Sequence, residues 1–160
     1  MIKKKILTPS HLINELKNVR SKKNRGSKVV FTNGCFDLLH AGHVMYLEKA
    51  RALGDVLVVA LNTDDSVKRL KGHTRPLNPL LDRQQVVAAL ESVSYVTWFS
   101  EDTPLNLIKK IMPDVLVKGG DYIAKDVVGF TEVTEAGGKV KIISFLQGRS
   151  TSGLIAKAKI

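Results

Sequence analysis

Short apolar segments alternate with helical patterns along the chain, and this alternation restricts the fold more than any other feature of the sequence. Five segments read as buried strands, namely 28–32, 55–61, 95–99, 114–117 and 139–145. Helix-starting residues or apolar residues at helical spacing lie around them, after Pro9, at 44–50, at 81–92, after Pro104 and at 150–160. Strands separated by helices need crossover connections. We therefore predict an α/β fold, a doubly wound sheet of about five mostly parallel strands with helices on both faces.

The turn after the first predicted strand is the expected ligand site of such a sheet, because ligands bind beyond the carboxyl strand ends where the strand order reverses. This turn contains His40 and His43 close to the start of a predicted helix, together with Gly34 and Gly42. Glycines let a ligand approach the backbone, and free N–H groups at a helix start attract anions. Imidazoles at that place would bind phosphate oxygens. The residues alone also allow one capping and one packed histidine.

Composition excludes several classes of protein. The longest apolar runs, such as 56–61, are far shorter than the roughly 20 residues of a membrane-spanning helix, so we expect no membrane partner. The basic first residues lead into Thr8 and Pro9 rather than a secretory signal pattern, and we expect a cytoplasmic protein. Cys35 is the only cysteine, which excludes an intrachain disulfide and a thiolate zinc cluster.

The net charge of +10 is concentrated near the amino end. Residues 1–28 contain nine Lys and Arg and one acidic residue, Glu15, whereas the rest of the chain has sixteen basic and fourteen acidic residues. A basic stripe across the fold is absent, so we expect no nucleic-acid partner. We divide the chain into an N-terminal helix and basic linker, 1–27, and one domain, 28–160.

The domain resembles the cytidylyltransferase-like branch of the nucleotidyltransferase superfamily. From Gly34 to His43 it carries the pattern G-x-F-D-x-x-H-x-G-H of that branch. Further segments resemble the adenylyltransferase domain of bacterial ADP-heptose synthases, namely 62–65, 69–72, 75–79, 82–83, 118–122 and 150–152. The resemblance implies a Rossmann-like form of the predicted sheet. In many bacteria that domain follows a sugar kinase, for which this chain has no room, so we expect a stand-alone transferase.

The resemblance also implies a reaction. AMP would pass from ATP to the 1-phosphate of D-glycero-D-manno-heptose, giving pyrophosphate and ADP-heptose for lipopolysaccharide or another surface glycan. ATP would be a substrate, and Mg²⁺ would bridge its triphosphate. Related transferases imply a homodimer acting on small molecules. Two alternatives stay open, a cytidylyltransferase acting on glycerol 3-phosphate or a similar phosphorylated alcohol, and a module that senses nucleotide without turnover.

Individual roles follow from the match to the family motifs. His40, His43 and Lys71 would be catalytic, with Lys71 in a Gly- and Pro-containing loop that closes over the reacting phosphates. ATP would be bound by Thr32, Asn33, Gly34, Cys35, Phe36, Gly42, Lys118, Gly119, Asp121, Ser150, Thr151 and Ser152. The sugar phosphate would be bound by Asp37, Arg75 and Arg83, and no residue is expected to ligate a metal.

For three of these positions the sequence limits the assignment. Lys71 also fits a solvated lysine, and Arg83 also fits a surface salt bridge. Cys35 has no recognisable histidine and acid partners, which is unfavourable for a nucleophile. Phe145 stands where the smaller alcohol cytidylyltransferases have an arginine, and this departure weakens the glycerol phosphate alternative.

Overall fold

A parallel sheet of five strands lies at the centre of the structure, a computed structural model that describes residues 2–21, 26–144 and 151–158. The strands are β1 (Val29–Gly34), β2 (Val56–Asn62), β3 (Tyr95–Phe99), β4 (Val115–Gly119) and β5 (Lys139–Ile143). Their order across the sheet is β3-β2-β1-β4-β5, and every neighbouring pair is parallel. The predicted sheet is therefore confirmed.

Helices cover both faces of this sheet. They are α1 (Pro9–Ser21), α2 (Ala41–Arg51), α3 (Asp64–Lys71), α4 (Leu80–Ala88), α5 (Leu105–Ile111), α6 (Phe130–Glu135) and α7 (Thr151–Ala158). Because successive strand side chains point to opposite faces, Val30 packs in a core cluster with Leu47 of α2, whereas Phe31 packs in another with Leu12 of α1 and Ile108 of α5. The near-continuous apolar strands of the sequence are explained by this burial on both faces.

The strand order reverses between β1 and β4. From β1 the chain builds outward through β2 to β3, then returns to place β4 on the other side of β1 and β5 beyond it. The connections that leave the carboxyl ends of β1 and β4 therefore run to opposite sides and open a crevice between them. Gly34 and Gly119 end the two strands at this point.

The segment before the first helix belongs to the same sheet. Ile6 forms a parallel bridge with Val96 of β3, whose backbone N–H donates to Lys5 O at 2.8 Å and whose carbonyl accepts from Leu7 N at 2.9 Å. This pairing covers the backbone of an edge strand, which would otherwise be open to association. Ile6 and the apolar residues of α1 thus pack in the same core clusters as the sheet.

Helix α3 corrects one prediction. Lys71 is the last residue of this helix rather than part of a loop. Thr63 precedes the helix in an extended conformation, Asp64 and Asp65 occupy its first turn, and Gly72 follows it with φ of +93°. Acidic residues at a helix start and a glycine directly after its end are ordinary helix signals, so this helix was predictable from the sequence. Neither α3 nor α6 is among the helices predicted from the sequence.

Candidate active site

A cleft of about 580 Å³ lies where the strand order reverses. Its size is within the range of small-molecule sites. Eleven residues assigned from the sequence line it, namely Asn33, Gly34, Cys35, Phe36, Asp37, His43, Lys71, Arg75, Lys118, Gly119 and Thr151. Residues up to 118 positions apart in the sequence are thus brought to one place.

The two histidines of the motif lie together at the start of α2. His40 is the N-cap residue, and its side chain makes no capping hydrogen bond. Residues three apart share one face of a helix, and the rings of His40 and His43 stack with centroids 3.9 Å apart and planes 27° apart. The ring of Phe36 lies 5.3 Å from that of His43. The histidines therefore form one unit rather than one capping and one separately packed residue.

His43 is neutral at physiological pH. Burial, and then the charge of His40, lower the pKa of His43 from 6.5 to about 4. Its Nδ1 is buried and has no hydrogen-bond partner among the described residues. A neutral imidazole retains one N–H to donate to a phosphate oxygen, and a bound anion would favour a second proton. An anionic ligand would therefore raise the pKa of His43.

Asp37 anchors the loop that leads into α4. Its carboxylate accepts hydrogen bonds from Arg75 Nε at 2.6 Å and from the backbone N–H groups of Leu77 and Asn78, both at 2.9 Å. Burial raises the pKa of Asp37, but the hydrogen bonds from Asn78, Leu77 and Arg75 together outweigh it and lower that pKa below its ordinary value. Asp37 and Arg75 therefore neutralise each other at the edge of the cleft.

Arg83 lies beneath the site turn and does not line the cleft. Its side chain is 0% exposed, so Arg83 does form a salt bridge, with Asp64, but from a buried position and not at the surface as the sequence left open. The guanidinium donates to Asn78 O at 3.0 Å, to Cys35 O at 2.7 Å and to Asp64 Oδ1 at 2.7 Å. A buried guanidinium needs such partners. Arg83 thus joins the site turn to the start of α3 and to the loop before α4.

Two lysines face the cleft from different elements. Lys71 ends α3 and is exposed. Lys118, in β4, is half-buried, and its Nζ lies 5.4 Å from the centroid of the Tyr122 ring. Burial lowers the pKa of Lys118. Burial also raises the pKa of the Cys35 thiol, although Lys71 and two arginines oppose that rise. The thiol is therefore protonated at neutral pH, which counts against a nucleophilic role.

The remaining assigned residues lie at or beyond the edge of the site. Thr32 is buried and hydrogen-bonds through Oγ1 to the Tyr46 hydroxyl at 2.6 Å, so it holds α2 against the sheet. His40, Gly42 and Asp121 also lie outside the cleft lining, with Asp121 exposed. Thr151 Oγ1 donates to Leu38 O at 3.2 Å. Ser150 and the side chain of Ser152 lie outside the described residues.

The structure adds lining residues that the sequence analysis did not assign to the site. These are Tyr46, Asn62, Leu70, Asp102, Thr103, Pro104, Tyr122, Asp126, Val127 and Val128. Most of them follow the carboxyl ends of β2, β3 and β4, where ligands bind in such sheets. Their position after predicted strands could have identified them from the sequence. Asn62 and Tyr122 also lie in segments that carry the family resemblance.

Two kinds of feature are absent from the described ranges 2–21, 26–144 and 151–158. No cluster of three or more His, Cys, Asp or Glu side chains there can hold a metal ion. No helix of those ranges is both long and apolar enough to cross a bilayer.

Comparisons with known proteins show which proteins this chain is similar to. A family model described as cytidylyltransferase-like matches residues 31–152. The bifunctional protein HldE of Marinomonas sp. (strain MWYL1) is 50% identical over 155 residues, which are 97% of this chain and 32% of that protein. HldE of Pasteurella multocida (strain Pm70) is 58% identical over 144 residues, 89% of this chain and 30% of that protein. The chain spans about a third of the length of these curated relatives.

Two solved structures share the fold. A lipopolysaccharide core biosynthesis protein from Thermoplasma volcanium GSS1 superposes with a TM-score of 0.62 at 27% identity, covering 78% of this chain and all of that one. A pantoate-beta-alanine ligase from Francisella tularensis superposes with a TM-score of 0.60 over 92% of this chain and 68% of that chain. At 19% identity the second likeness concerns the fold alone.

Proposed function

The chain belongs to the cytidylyltransferase-like family, whose model covers about three quarters of it, and we propose that it transfers AMP from ATP to the 1-phosphate of D-glycero-D-manno-heptose. The products would be pyrophosphate and ADP-heptose, the latter for lipopolysaccharide or another surface glycan. The observation that carries the proposal is the stacked pair His40 and His43 at the start of α2, beside a cleft at the reversal of the strand order. The high identity to HldE proteins supports the choice of reaction.

In this mechanism the protein positions two anions and stabilises charge. An oxygen of the sugar phosphate attacks the α-phosphorus of ATP in line, and the bond to the β-phosphate oxygen breaks. His43 donates to a phosphate oxygen from a ring that burial keeps neutral in the free protein. Lys71 reaches the reacting phosphates from the end of α3. No residue needs to become covalently bound, which agrees with the protonated state of Cys35.

Mg²⁺ would enter as part of the MgATP substrate. Two carboxylates of the cleft, Asp37 and Asp102, are already paired with arginines at 2.6 and 2.8 Å. The triphosphate oxygens are suitable ligands for this hard cation, which usually keeps several waters. When bound, Mg²⁺ supplies compensation for the charge of the leaving pyrophosphate.

The location, the oligomeric state and the domain bounds are proposed from the sequence and from the resemblance to related transferases. We propose that the protein acts in the cytoplasm as a homodimer, with 28–160 as the transferase domain. The name of the Thermoplasma volcanium neighbour, a lipopolysaccharide core biosynthesis protein, supports a glycan product. The Asp37–Arg75 pair borders the cleft, and we place the sugar phosphate beside it.

Pyrophosphate release with crossed substrates tests the proposal. The purified protein is given ATP or CTP, each with heptose 1-phosphate or glycerol 3-phosphate, and release is followed by a coupled assay. ATP with heptose 1-phosphate should give the highest kcat/KM. Highest activity with CTP and glycerol 3-phosphate would identify the cytidylyltransferase alternative. Nucleotide binding without release in any combination would identify a sensing module.

A further inference from the structure

We propose that Lys118 is a second phosphate-binding cation, which faces Lys71 across the cleft and binds the α-phosphoryl group of the nucleotide from the opposite side. This inference rests on the proposed function and deepens it. The match to the family assigned Lys118 only to ATP as a whole, whereas here we assign it one particular phosphate and a partner residue.

The charges that line the cleft are compensated unequally. Its Lys and Arg side chains, taken over the described residues, are Lys71, Arg75 and Lys118. Arg75 is paired with Asp37 at 2.6 Å. Neither lysine forms an ion pair with an acidic side chain within the described part of the chain. A half-buried ammonium group without a carboxylate partner is costly, and an anionic ligand would remove that cost.

The remaining carboxylates of the cleft do not compensate these lysines. Asp102 is held by Arg69 Nε at 2.8 Å. Asp126 is exposed and makes no ion pair with either lysine. Both lysines therefore lack a carboxylate partner among the described residues, and the cleft keeps a net positive charge for a bound anion even when the charge of Asp126 is counted.

An aromatic ring holds the Lys118 amine in place without neutralising it. The amine lies 5.4 Å from the centroid of Tyr122, within the range of a cation–π contact. Lys118 is the fourth residue of β4, one before Gly119, and β4 is the direct neighbour of β1. The side chain thus stands beside the turn that carries the histidines, on a rigid strand rather than on a loop.

Lys71 and Lys118 line the same cleft as Cys35 of the site turn. The charge of Lys71 opposes the rise that burial causes in the pKa of Cys35, and it adds to the fall that burial causes in the pKa of Lys118. The three groups are therefore within electrostatic reach of one another. A phosphate bound over Cys35 would meet one lysine from α3 and the other from β4.

The chemistry of the transfer uses two such cations. As the sugar phosphate oxygen forms its bond to the α-phosphorus, the bond to the pyrophosphate oxygen breaks and the electron pair leaves with pyrophosphate. Negative charge on the two non-bridging α-oxygens must be stabilised during this exchange. Lys71 and Lys118 each donate a hydrogen bond to one of these oxygens, and no proton moves to or from either lysine.

Binding of AMP and adenosine tests the inference without turnover. The ratio of the two dissociation constants, measured by calorimetry, reports the contribution of the α-phosphate alone. Lys118→Met should reduce the preference for AMP by about tenfold, the scale of one lost charged hydrogen bond, and Lys118→Arg should retain most of it. Lys125→Met is the matched control, because Lys125 is exposed outside the cleft lining and loses the same charge. An unchanged preference in a folded Lys118→Met protein would overturn the inference, as would a wild-type protein without any preference for AMP.

Turnover separates this inference from the proposed function. With ATP and heptose 1-phosphate, Lys118→Met should lower kcat by about 100-fold while the KM for the sugar phosphate changes little. A kcat close to wild type would contradict the role of Lys118. A wild-type protein that prefers AMP through Lys118 but releases no pyrophosphate would contradict the proposed function and leave the phosphate contact standing.

Discussion

Replacing Asp37 by asparagine should loosen the edge of the cleft formed by residues 75–78. The carboxylate accepts from Arg75 Nε at 2.6 Å and from the backbone N–H groups of Leu77 and Asn78 at 2.9 Å. Asparagine keeps one acceptor oxygen and turns an NH₂ group toward these donors. A hydrogen bond to a charged group contributes about 1.5–3 kcal/mol, and such losses are not additive. We expect a loss of about 3 kcal/mol, or a fall in Tm of about 6–12 °C for a chain of this size.

Thermal unfolding and hydrogen exchange measure this effect. The Leu77 and Asn78 amides should exchange faster in Asp37→Asn than in wild type, because both lose their carboxylate acceptor. Asp82→Asn is the control, since Asp82 is exposed in the first turn of α4 and should change stability by less than about 1 kcal/mol. A Tm close to wild type together with protected Leu77 and Asn78 amides would refute the anchoring role of Asp37.

The difference in Tm between wild type and Asp37→Asn should depend on pH, because the pKa of Asp37 is depressed. A carboxyl whose folded pKa is lowered stabilises the fold fully above its unfolded pKa, near 4. That stabilisation is lost as the pH falls through the lower folded pKa. The Tm difference between wild type and Asp37→Asn should therefore be constant from about pH 5 to 8 and shrink below about pH 4. A difference that grows toward acid pH would contradict this reasoning.

Three further predictions follow from other parts of the structure. His40→Ala and His43→Ala should each lower turnover by about 10²–10³-fold with little change in Tm, and near wild-type turnover would mark that histidine as structural. The pKa of His43 is about 4 in the fold and 6.5 in the unfolded chain, so the unfolded chain binds more protons between these pH values. Wild-type stability should therefore fall from about pH 6.5 toward 4 more steeply than the stability of His43→Asn. Parallel stability curves for the two proteins would contradict the low pKa of His43. Deleting residues 1–7 should lower Tm by several degrees, since residues 5–7 pair with β3, while kcat/KM at 25 °C stays near wild type; an unchanged Tm would show that the pairing contributes nothing.

Most of the sheet was predictable from local pattern. Strand β3 has the predicted bounds 95–99, because hydrophobic residues stand at both of its ends. Strands β1 and β4 run two residues further than predicted, to Gly34 and Gly119. The parallel hydrogen-bond pattern continues there after the apolar pattern has ended. An apolar pattern indicates buried residues, so it underestimates the length of strands whose last residues line a cleft.

The turn that carries the histidine motif was also predictable, whereas the long-range contacts around the cleft were not. The spacing of His40 and His43 together with a following helix pattern was enough to place them on one face. The pairing of Asp37 with Arg75 spans 38 residues, and the three partners of Arg83 come from separate segments. Such contacts depend on which strands are neighbours, and a single sequence does not contain that information in its local periodicity.

The phosphorus spectrum of one reaction mixture shows whether the protein catalyses adenylyl transfer. Wild-type protein, ATP, Mg²⁺ and heptose 1-phosphate are followed by ³¹P NMR. We expect equal amounts of pyrophosphate and of a new diphosphate diester whose two coupled phosphorus signals arise from the AMP and sugar phosphate groups. Formation of ADP and inorganic phosphate without the diester, or an unchanged spectrum while the protein binds ATP, would contradict adenylyl transfer at this site.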